Sequence, residues 1–252
     1  MPRLYCNAPL PVNTRLKLPT SAARHIMVLR LKPGDNVTLF NGEGGECLCK
    51  IVDMHRHSAS VDILSWQARE NELPYRITLT QSMPEASKMD MVIEKAVELG
   101  VARICPVESE RSVVRLTEER AEKRAIRWKS IIISASEQCG RNRLIELDSL
   151  VPFRDWVKQP DDQPALMLSP YAEELLADWA CRNPPQNVTL IIGPEGGFSR
   201  EEEGLAIRHG IRMFSLGPRI LRTETAGMAA VSALTAIWSR TERSENNQAR
   251  LS

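Results

Sequence analysis

Residues 190–225, LIIGPEGGFSREEEGLAIRHGIRMFSLGPRILRTET, decide the fold, because two apolar strands in them each run into an unusual loop. The first strand leads into GPEGG (193–197), whose glycines let a backbone approach a ligand closely and expose N–H groups. Ser199, with Glu202 three residues later, forms a capping box that predicts the start of a helix. Taken alone, these glycines are more typical of a plain tight loop.

The second loop follows a predicted strand at 212–216 and leads into an alanine-rich helix. Leu221 stands among charged residues there, which is unusual for a loop without a ligand. Thr223 or Thr225 can cap the helix, and Glu224 can favour its positive end. A purely structural interpretation of these three residues therefore stays open.

The helix after this loop is predicted to run to about Arg240 and carries a face of small apolar residues. Such a face packs closely, either within the core or against a second copy of the chain. The face comprises Ala226, Ala229, Ala230, Ala233 and Ile237.

Strand-like and helix-like segments alternate through the rest of this half. Apolar runs predict strands at 76–83, 102–107, 164–169 and 187–193, and apolar residues at 3–4 spacing predict helices at 88–100, 117–138 and 171–182. This alternation is typical of an α/β domain with a mostly parallel sheet. Such sheets bind ligands at the carboxyl ends of their strands, where both loops lie.

The N-terminal part has the two-residue period of strands. Two short runs flank NGEGG (41–45), a hairpin signal, and SASVDILSW (58–66) is a third run. Several short strands with glycine turns indicate a small β-barrel. The polar stretch 68–74 marks a boundary. We therefore predict a barrel domain at 1–72, an α/β domain at 73–243 and a polar tail at 244–252.

Composition places the chain among ordinary globular proteins. It has 252 residues, of which 42% are hydrophobic and 26% charged, with a net charge of +1. These values exclude a disordered chain and a strongly basic nucleic-acid coat. No apolar run approaches the roughly 18 residues of a membrane span, and the start lacks a secretory h-region. Six cysteines without a CxxC pair predict no metal site and a reducing, cytoplasmic compartment.

The charge is unevenly distributed. Residues 111–143 contain nine Lys or Arg and four Glu, so this stretch carries +5. A local basic stripe is typical of a surface that binds a polyanion. The alternative is the solvated face of an amphipathic helix.

Motifs for other chemistry are missing. The chain contains no HExxH, no GxSxG and no acidic calcium loop. The glycine loop matches neither GxGxxG nor GxxxxGK[ST], so a Rossmann cofactor or a phosphate cradle is not indicated.

Taken together, IIGPEGGFSREE (191–202) and LGPRILRTETA (216–226) closely resemble the RsmE family of ribosomal RNA methyltransferases, which belong to the SPOUT class. The resemblance covers nearly the whole chain in order. Further segments that match are PRLY (2–5), AARHIMVLRLKPGD (22–35), KMDMVIEKAVELGV (88–101), ICPV (104–107), RS (111–112) and SASEQCGRNR (134–143). Where the family usually has a basic residue and a glycine, this chain has Glu85 and Ala86, whereas Lys88 matches.

The resemblance implies a PUA-like RNA-binding barrel, a SPOUT α/β domain with a C-terminal trefoil knot, and a homodimer. It implies S-adenosylmethionine as cofactor and N3 of a uridine in 16S ribosomal RNA of the small subunit as methyl acceptor. The residues that the resemblance places at the cofactor are Leu168, Ile192, Gly193, Gly196, Leu216, Gly217, Leu221, Thr223 and Thr225.

Methylation at N3 of uracil requires an unpaired base and the loss of a proton. A cation near the uracil oxygens would favour the anion, and a carboxylate would accept the proton. Arg222 and Glu224 are the candidates, because they lie between the cofactor loop and the helix start. The candidates for contacts with RNA are Arg3, Arg24, His25, Arg30, Arg111, Arg115, Arg141 and Arg143.

Three alternatives remain at the level of sequence. A SPOUT enzyme can instead methylate a ribose 2′-O of another RNA. A catalytically silent assembly factor would bind RNA without binding the cofactor. An α/β enzyme acting on a phosphorylated metabolite would use the GPEGG loop as an anion site and would not need the barrel.

Overall fold

The computed structural model describes residues 1–55, 58–85, 87–159 and 162–249, with side chains up to residue 239. The chain folds into two compact units. The first comprises Met1–Glu72 and Ile132–Leu144, and the second comprises Leu73–Ile131 and Ile145–Ser252. The sequence pattern gives no sign that residues 132–144 belong with the N-terminal strands.

A five-stranded sheet and one helix build the first unit. The strand order is β1-β3-β4-β5-β2, with β1 and β3 parallel and the other pairs antiparallel. The elements are β1 (Arg3–Tyr5), β2 (Arg15–Lys17), α1 (Thr20–Val28), β3 (Asn36–Phe40), β4 (Glu46–His55) and β5 (Ser58–Gln67).

The predicted hairpin is present between β3 and β4, and glycines with positive φ form its turn. Val61 and Ile63 on β5 point into one core with Ala23 and Ile26 of α1. Burial along β5 alternates from Ser58 to Ile63, in agreement with the two-residue period of the sequence. The short strands β1 and β2 were not predicted, because three residues are too few to show a period.

Residues 132–144 are attached to the β-sheet of this unit by buried charges. Glu46 accepts hydrogen bonds from Arg3, Arg69 and Asn142. The Arg3 guanidinium also donates to the amide oxygen of Asn142. Arg141 pairs with Glu72 and is only 3% exposed. Arg3 and Arg141 are thus engaged inside the unit, and the RNA contacts expected of them, which stay predictions, would require breaking these bonds.

The second unit contains a parallel sheet with strand order β12-β10-β11-β6-β7-β8, in which β9 also pairs with β7. This confirms the predicted α/β fold with a parallel sheet. Its strands are β6 (Ile77–Ser82), β7 (Arg103–Glu108), β8 (Glu146–Leu147), β9 (Val151–Pro152), β10 (Ala165–Leu168), β11 (Val188–Ile192) and β12 (Arg212–Phe214). Its helices are α2 (Lys88–Glu98), α3 (Glu118–Cys139, whose last turns belong to the first unit), α4 (Phe153–Trp156), α5 (Leu176–Arg182), α6 (Arg200–Arg208) and α7 (Thr223–Ala249).

Local signals fix the ends of two helices. Gly100 adopts φ +88° just beyond α2, where a left-handed residue ends a helix at no steric cost. The Ser199 side chain accepts from the backbone N–H of Glu202, and the Glu202 carboxylate accepts from the N–H of Ser199. The predicted capping box is therefore confirmed.

Two helices differ from prediction. Helix α5 begins at Leu176 instead of residue 171, because Glu174 and Leu175 make backbone contacts with Ser215 that helical residues would forgo. Helix α7 continues to Ala249, past the expected end near Arg240 and into the predicted polar tail at 244–252. The last three residues of that tail lie outside the described residues.

Two absences hold for the described residues. None of their helices combines the length and apolar character that crossing a bilayer requires. No group of three or more His, Cys, Asp or Glu among them is arranged to hold a metal ion.

The charge network around Glu46 predicts a pH-dependent stability. Burial raises the pKa of Glu46, but hydrogen bonds from Arg3, Arg69 and Asn142 outweigh it and lower the pKa. A lowered pKa stabilises the fold above the carboxyl's unfolded pKa, and this stability is lost as pH falls through the folded pKa. Glu46→Gln should cost about 2 kcal/mol at neutral pH, because Arg3 loses a charged partner.

Hydrogen exchange of the β4 amides in the full chain measures this cost. The difference between the wild type and Glu46→Gln should shrink at acid pH, where Glu46 is protonated in both folded and unfolded chains. Glu43→Gln, an exposed change on the same hairpin, is the matched control. An equal loss in both variants, or a loss that does not change with pH, would contradict the prediction.

Candidate active site

A cavity of about 380 Å³ lies at the carboxyl edge of the parallel sheet in the second unit. The strands β10, β11 and β12 are neighbours, and they end at Leu168, Ile192 and Phe214, which all line it. The two loops chosen from the sequence close around these ends, as the general rule for parallel sheets predicts. The other lining residues are Lys88, Ser169, Pro170, Gly193, Pro194, Glu195, Gly197, Leu216, Arg219, Ile220, Leu221, Arg222, Thr223 and Ala226.

Six of the nine residues expected at a cofactor line this cavity: Leu168, Ile192, Gly193, Leu216, Leu221 and Thr223. Gly196, Gly217 and Thr225 are not among its lining residues. Gly197 lines it in place of Gly196, whose carbonyl is bound elsewhere. Thr225 points to solvent from the first turn of α7, and Gly217 forms a turn at φ +103°.

One hydroxyl joins the segments that surround the cavity. Thr223 Oγ1 accepts from Gln81 Nε2 at 3.0 Å and donates to the carbonyl oxygen of Gly193 at 2.5 Å. Gln81 lies on β6, Gly193 follows β11, and Thr223 begins α7. The predicted capping threonine thus makes a tertiary contact instead of a local cap.

The two proposed catalytic residues occupy different environments. Arg222 lines the cavity and is exposed. Glu224 is only 8% exposed and does not line the cavity. Its Oε2 atom has no hydrogen-bond partner among the described residues, which is costly for a buried carboxylate.

A lysine that the sequence analysis did not propose for the site completes the charged part of the cavity. Lys88 Nζ lies 2.8 Å from Glu195 Oε1 and 3.5 Å from Glu85 Oε2. The backbone N–H of Glu85 also donates to Glu195. Lys88 begins α2, just after the carboxyl end of β6, and this position is the signal that could have identified it.

These contacts set the charges of the pair. The hydrogen bond to Glu195 raises the pKa of Lys88, and the charges of Glu195 and Glu224 raise it further. Burial alone would raise the pKa of Glu195, but hydrogen bonds from Lys88 and from backbone N–H groups outweigh it and lower the pKa. Both groups are therefore charged at neutral pH.

Arg111 holds the glycine loop from outside the cavity. Its Nη1 atom donates to the carbonyl of Gly196 at 3.0 Å and to that of Phe198 at 3.3 Å. The neighbouring Glu110 N–H donates to Glu202 on the same segment at 2.8 Å. The guanidinium of Arg111 is thus engaged with the loop, although the residue is exposed, and its contact with RNA stays a prediction.

Hydroxyl groups anchor the segment that carries Arg111. Ser82 Oγ, at the end of β6, lies 2.6 Å from Ser109 Oγ and 3.2 Å from Ser112 Oγ, and all three are buried. The serine cluster thus fixes the segment 109–112 to the sheet, and Arg111 on that segment holds the glycine loop in place.

The remaining candidates for RNA contacts are on the surface. Arg24 and Arg30 are exposed, and His25 Nδ1 lies 3.3 Å from Glu137 in the first unit. Arg143 lies 3.3 Å from Glu70 in that unit, and Arg115 lies 3.6 Å from Glu108 in the second unit. Much of the basic stripe is thus paired with carboxylates that the local charge count did not include.

Two known domain families match this chain. The RNA methyltransferase domain matches residues 71–235, and the RNA methyltransferase PUA domain matches residues 18–64. The fold and the cavity therefore belong to an RNA methyltransferase that carries a PUA domain.

Similar individual proteins show which family of RNA methyltransferases this is. The ribosomal RNA small subunit methyltransferase E of Buchnera aphidicola (subspecies Schizaphis graminum) is 35% identical, over 93% of this chain and 95% of its own length. The crystal structure of a protein of the same name from Neisseria gonorrhoeae, bound to S-adenosylmethionine, has a TM-score of 0.89 at 40% identity, over 94% of this chain and 98% of that one.

A Legionella pneumophila protein, also solved with bound S-adenosylmethionine, has a TM-score of 0.88 at 39% identity, over 93% of this chain and 96% of that one. The chain belongs to the ribosomal RNA small subunit methyltransferase E family, as the resemblance in the sequence predicted.

The position of Arg111 predicts that it orders the glycine loop. Arg111→Ala removes two charged hydrogen bonds to loop carbonyls, so amides 195–198 should exchange at least about tenfold faster. Arg115→Ala, an exposed neighbour, is the matched control. Hydrogen exchange of the two variants without RNA measures the effect, and unchanged loop protection in Arg111→Ala would contradict it.

Proposed function

We propose that this chain methylates N3 of a uridine in 16S ribosomal RNA of the small subunit, with S-adenosylmethionine as methyl donor. The observation that carries the proposal is the cavity at the carboxyl edge, built by the GPEGG and LGPRILRTET segments of a chain in this family. The relatives' names and the cofactor bound in two similar structures support it.

The cavity fits S-adenosylmethionine in size and chemistry. A volume of about 380 Å³ lies within the range of small-molecule sites. Leu168, Ile192, Leu216 and Leu221 offer an apolar surface to an adenine ring. Gly193 lacks a side chain, and a Cβ there would lie 3.2 Å from the Phe198 ring. The carboxylate of Glu195 on the cavity wall is compatible with a cationic sulfonium.

The same six expected residues would hold the cofactor: Leu168, Ile192, Gly193, Leu216, Leu221 and Thr223. S-adenosylmethionine supplies an electrophilic methyl group, so the protein has mainly to position the acceptor and manage its proton. Arg222, on the cavity wall, would bind the flipped base. Glu224 would accept the N3 proton through its unpartnered Oε2 after a local rearrangement, because it does not line the cavity.

The first unit would hold the RNA. A PUA match and the exposed Arg24 and Arg30 support this role, with His25, Arg115 and Arg143 as further contacts. The protein would act in the cytoplasm, where ribosomal subunits are made. The knot implied by the family resemblance remains a prediction.

A second copy of the chain would pair along α7. Ala226, Ala229, Ala233 and Ile237 are only half-buried within this subunit, whereas Ala230 is fully buried. Such small residues let two helices approach closely. Sedimentation velocity of the full chain tests the dimer, and a monomer at micromolar concentration would reject it.

The primary experiment is transfer of labelled methyl to small subunits that lack the modification, followed by identification of the nucleoside. Label in 3-methyluridine supports the proposal. Label in a ribose would replace it with 2′-O methylation. Cofactor binding without label would indicate another acceptor, and RNA binding without cofactor binding would indicate a silent assembly factor.

The two candidate catalytic residues give a prediction of their own. Arg222→Ala and Glu224→Gln should each lower the turnover number by about 100-fold, the usual effect of removing an acid, base or charged donor. Arg208→Ala, an exposed change on α6, should leave turnover unchanged. Near-normal turnover in both Arg222→Ala and Glu224→Gln would show that these residues neither bind the base nor accept its proton.

RNA binding should depend on salt through the surface arginines. Each phosphate contact removed should lower the slope of log K against log salt by about 1. Arg24→Gln and Arg30→Gln should therefore flatten the salt dependence, while Arg15→Gln, an exposed arginine paired with Asp62, should not. Filter binding of small subunits over a salt series measures the slopes, and identical slopes would exclude Arg24 and Arg30 from the RNA surface.

A further inference from the structure

We propose that Lys88 is a catalytic residue, a charged donor that binds a carbonyl oxygen of the target uracil and stabilises its N3 anion. This inference deepens the proposed uridine methylation and rests on it. It assigns the fixed cation of the cavity to the start of α2, outside the two loops that the sequence singled out.

Donor geometry leaves Lys88 able to bind a ligand. An ammonium group has three N–H donors and no acceptor. Glu195 Oε1 at 2.8 Å and Glu85 Oε2 at 3.5 Å engage two of them. Lys88 lines the cavity, so one donor remains for a carbonyl oxygen there.

Lys88 is also the preorganised cation among those that line the cavity. Its side chain is 21% exposed and tied to Glu195. Arg219 and Arg222 are exposed, and neither makes an ion pair with another side chain of the described residues. A donor fixed before the reaction loses less entropy and stabilises developing charge more strongly than a mobile one.

The charged groups around Lys88 keep it protonated. Glu85 precedes α2, Glu195 lies on the loop after β11, and Glu224 lies in the first turn of α7. Arg219 and Arg222 line the same cavity from the loop before α7. The hydrogen bond to Glu195 and the nearby carboxylate charges raise the pKa of Lys88. The ammonium therefore acts as a donor and does not act as the base.

The chemistry of uracil explains why a cation is needed. N3 lies between two carbonyl groups, and its proton leaves only well above neutral pH in the free base. When N3 loses that proton to a base, the negative charge spreads over N3, O2 and O4. N3 then bonds to the methyl carbon as the carbon–sulfur bond breaks and its electron pair stays on sulfur. An ammonium beside one oxygen favours the anion at neutral pH.

The test compares Lys88→Met, Lys88→Arg and Glu195→Gln with Lys95→Met, a control on the same helix outside the cavity. The substrates are small subunits lacking the modification, prepared with uridine or with 5-fluorouridine in their RNA. Fluorine acidifies N3, so it replaces part of the stabilisation that the cation supplies. Calorimetry with S-adenosylmethionine and filter binding of subunits report cofactor and RNA affinity separately.

We expect Lys88→Met to lower turnover by about 100-fold at neutral pH, with cofactor and RNA affinities unchanged. Its turnover should rise with pH, and its deficit should shrink about tenfold for each unit by which fluorine lowers the N3 pKa. Lys88→Arg should retain more activity than Lys88→Met, because it keeps the charge. Glu195→Gln should lose less turnover than Lys88→Met, and its deficit should be the same on uridine and 5-fluorouridine substrates.

An equal deficit of Lys88→Met on both substrates would overturn the inference, as would wild-type turnover. A matching loss in Glu195→Gln without rescue would show that Lys88 only anchors the loop, which also overturns it. If Lys88→Met does not fold, Lys88→Gln, which also removes the charge, takes its place; wild-type turnover in that variant, or an equal deficit on both substrates, rejects the role. A wild type that forms no 3-methyluridine would instead refute the proposed function itself.

Discussion

The hydroxyl of Thr223 connects three parts of the chain that are far apart in sequence. It accepts from Gln81 on β6 and donates to the carbonyl of Gly193 after β11, while its backbone starts α7. A valine methyl in place of the hydroxyl would remove one partner of the buried Gln81 amide, which would keep its bond to the Ser82 carbonyl. It would also remove the Thr223 donor from the half-buried Gly193 carbonyl. This contact holds the loop after β11 against the start of α7, and both segments line the cavity.

Close packing of α7 on the sheet reinforces this contact. A Cβ on Gly227 would lie 3.4 Å from Leu79 on β6 and 3.6 Å from Ile192 on β11. The helix therefore lies near the strands that carry Gln81 and precede Gly193. Moving α7 outward would lengthen the hydrogen bonds of Thr223 and open the wall that Ala226 contributes to the cavity. The packing of α7 on the sheet therefore also determines the shape of the cavity.

The sequence predicted those features whose cause is local. The capping box of Ser199 and Glu202 lies within four residues, and Gly100 ends α2 by its own backbone freedom. The late start of α5 depends on Ser215, about 40 residues away, and so it has no local signal. The place of residues 132–144 depends in the same way on Arg3 and Glu46. Lys88 was missed because its partner Glu195 lies on a different loop.

The charge count over residues 111–143 overestimated the free positive charge for a related physical reason. A count over a stretch of sequence adds charges that are neighbours in the chain. The electrostatic potential at the surface depends instead on the charges that are neighbours in the folded structure. Arg127 pairs with Asp90 on α2, and Arg141 pairs with Glu72, although each was counted as an unpaired charge of the stripe. An exposed pair is weak enough for a phosphate to displace, but a buried pair is not. Arg115 is therefore more readily available to a phosphate than Arg141.

The same distinction separates the charged groups that line the cavity from Glu224, which does not line it. Arg222 is exposed and free to follow a substrate that arrives with its own charge, so it suits binding. Lys88 is fixed by Glu195 and suits the stabilisation of charge that appears only during the reaction. Glu224 is buried with an unpartnered oxygen, an arrangement that costs stability in the resting protein. Under the proposed mechanism this cost is offset when the bound substrate gives its N3 proton to Glu224, and the charge of Lys88 lowers the barrier to that proton loss.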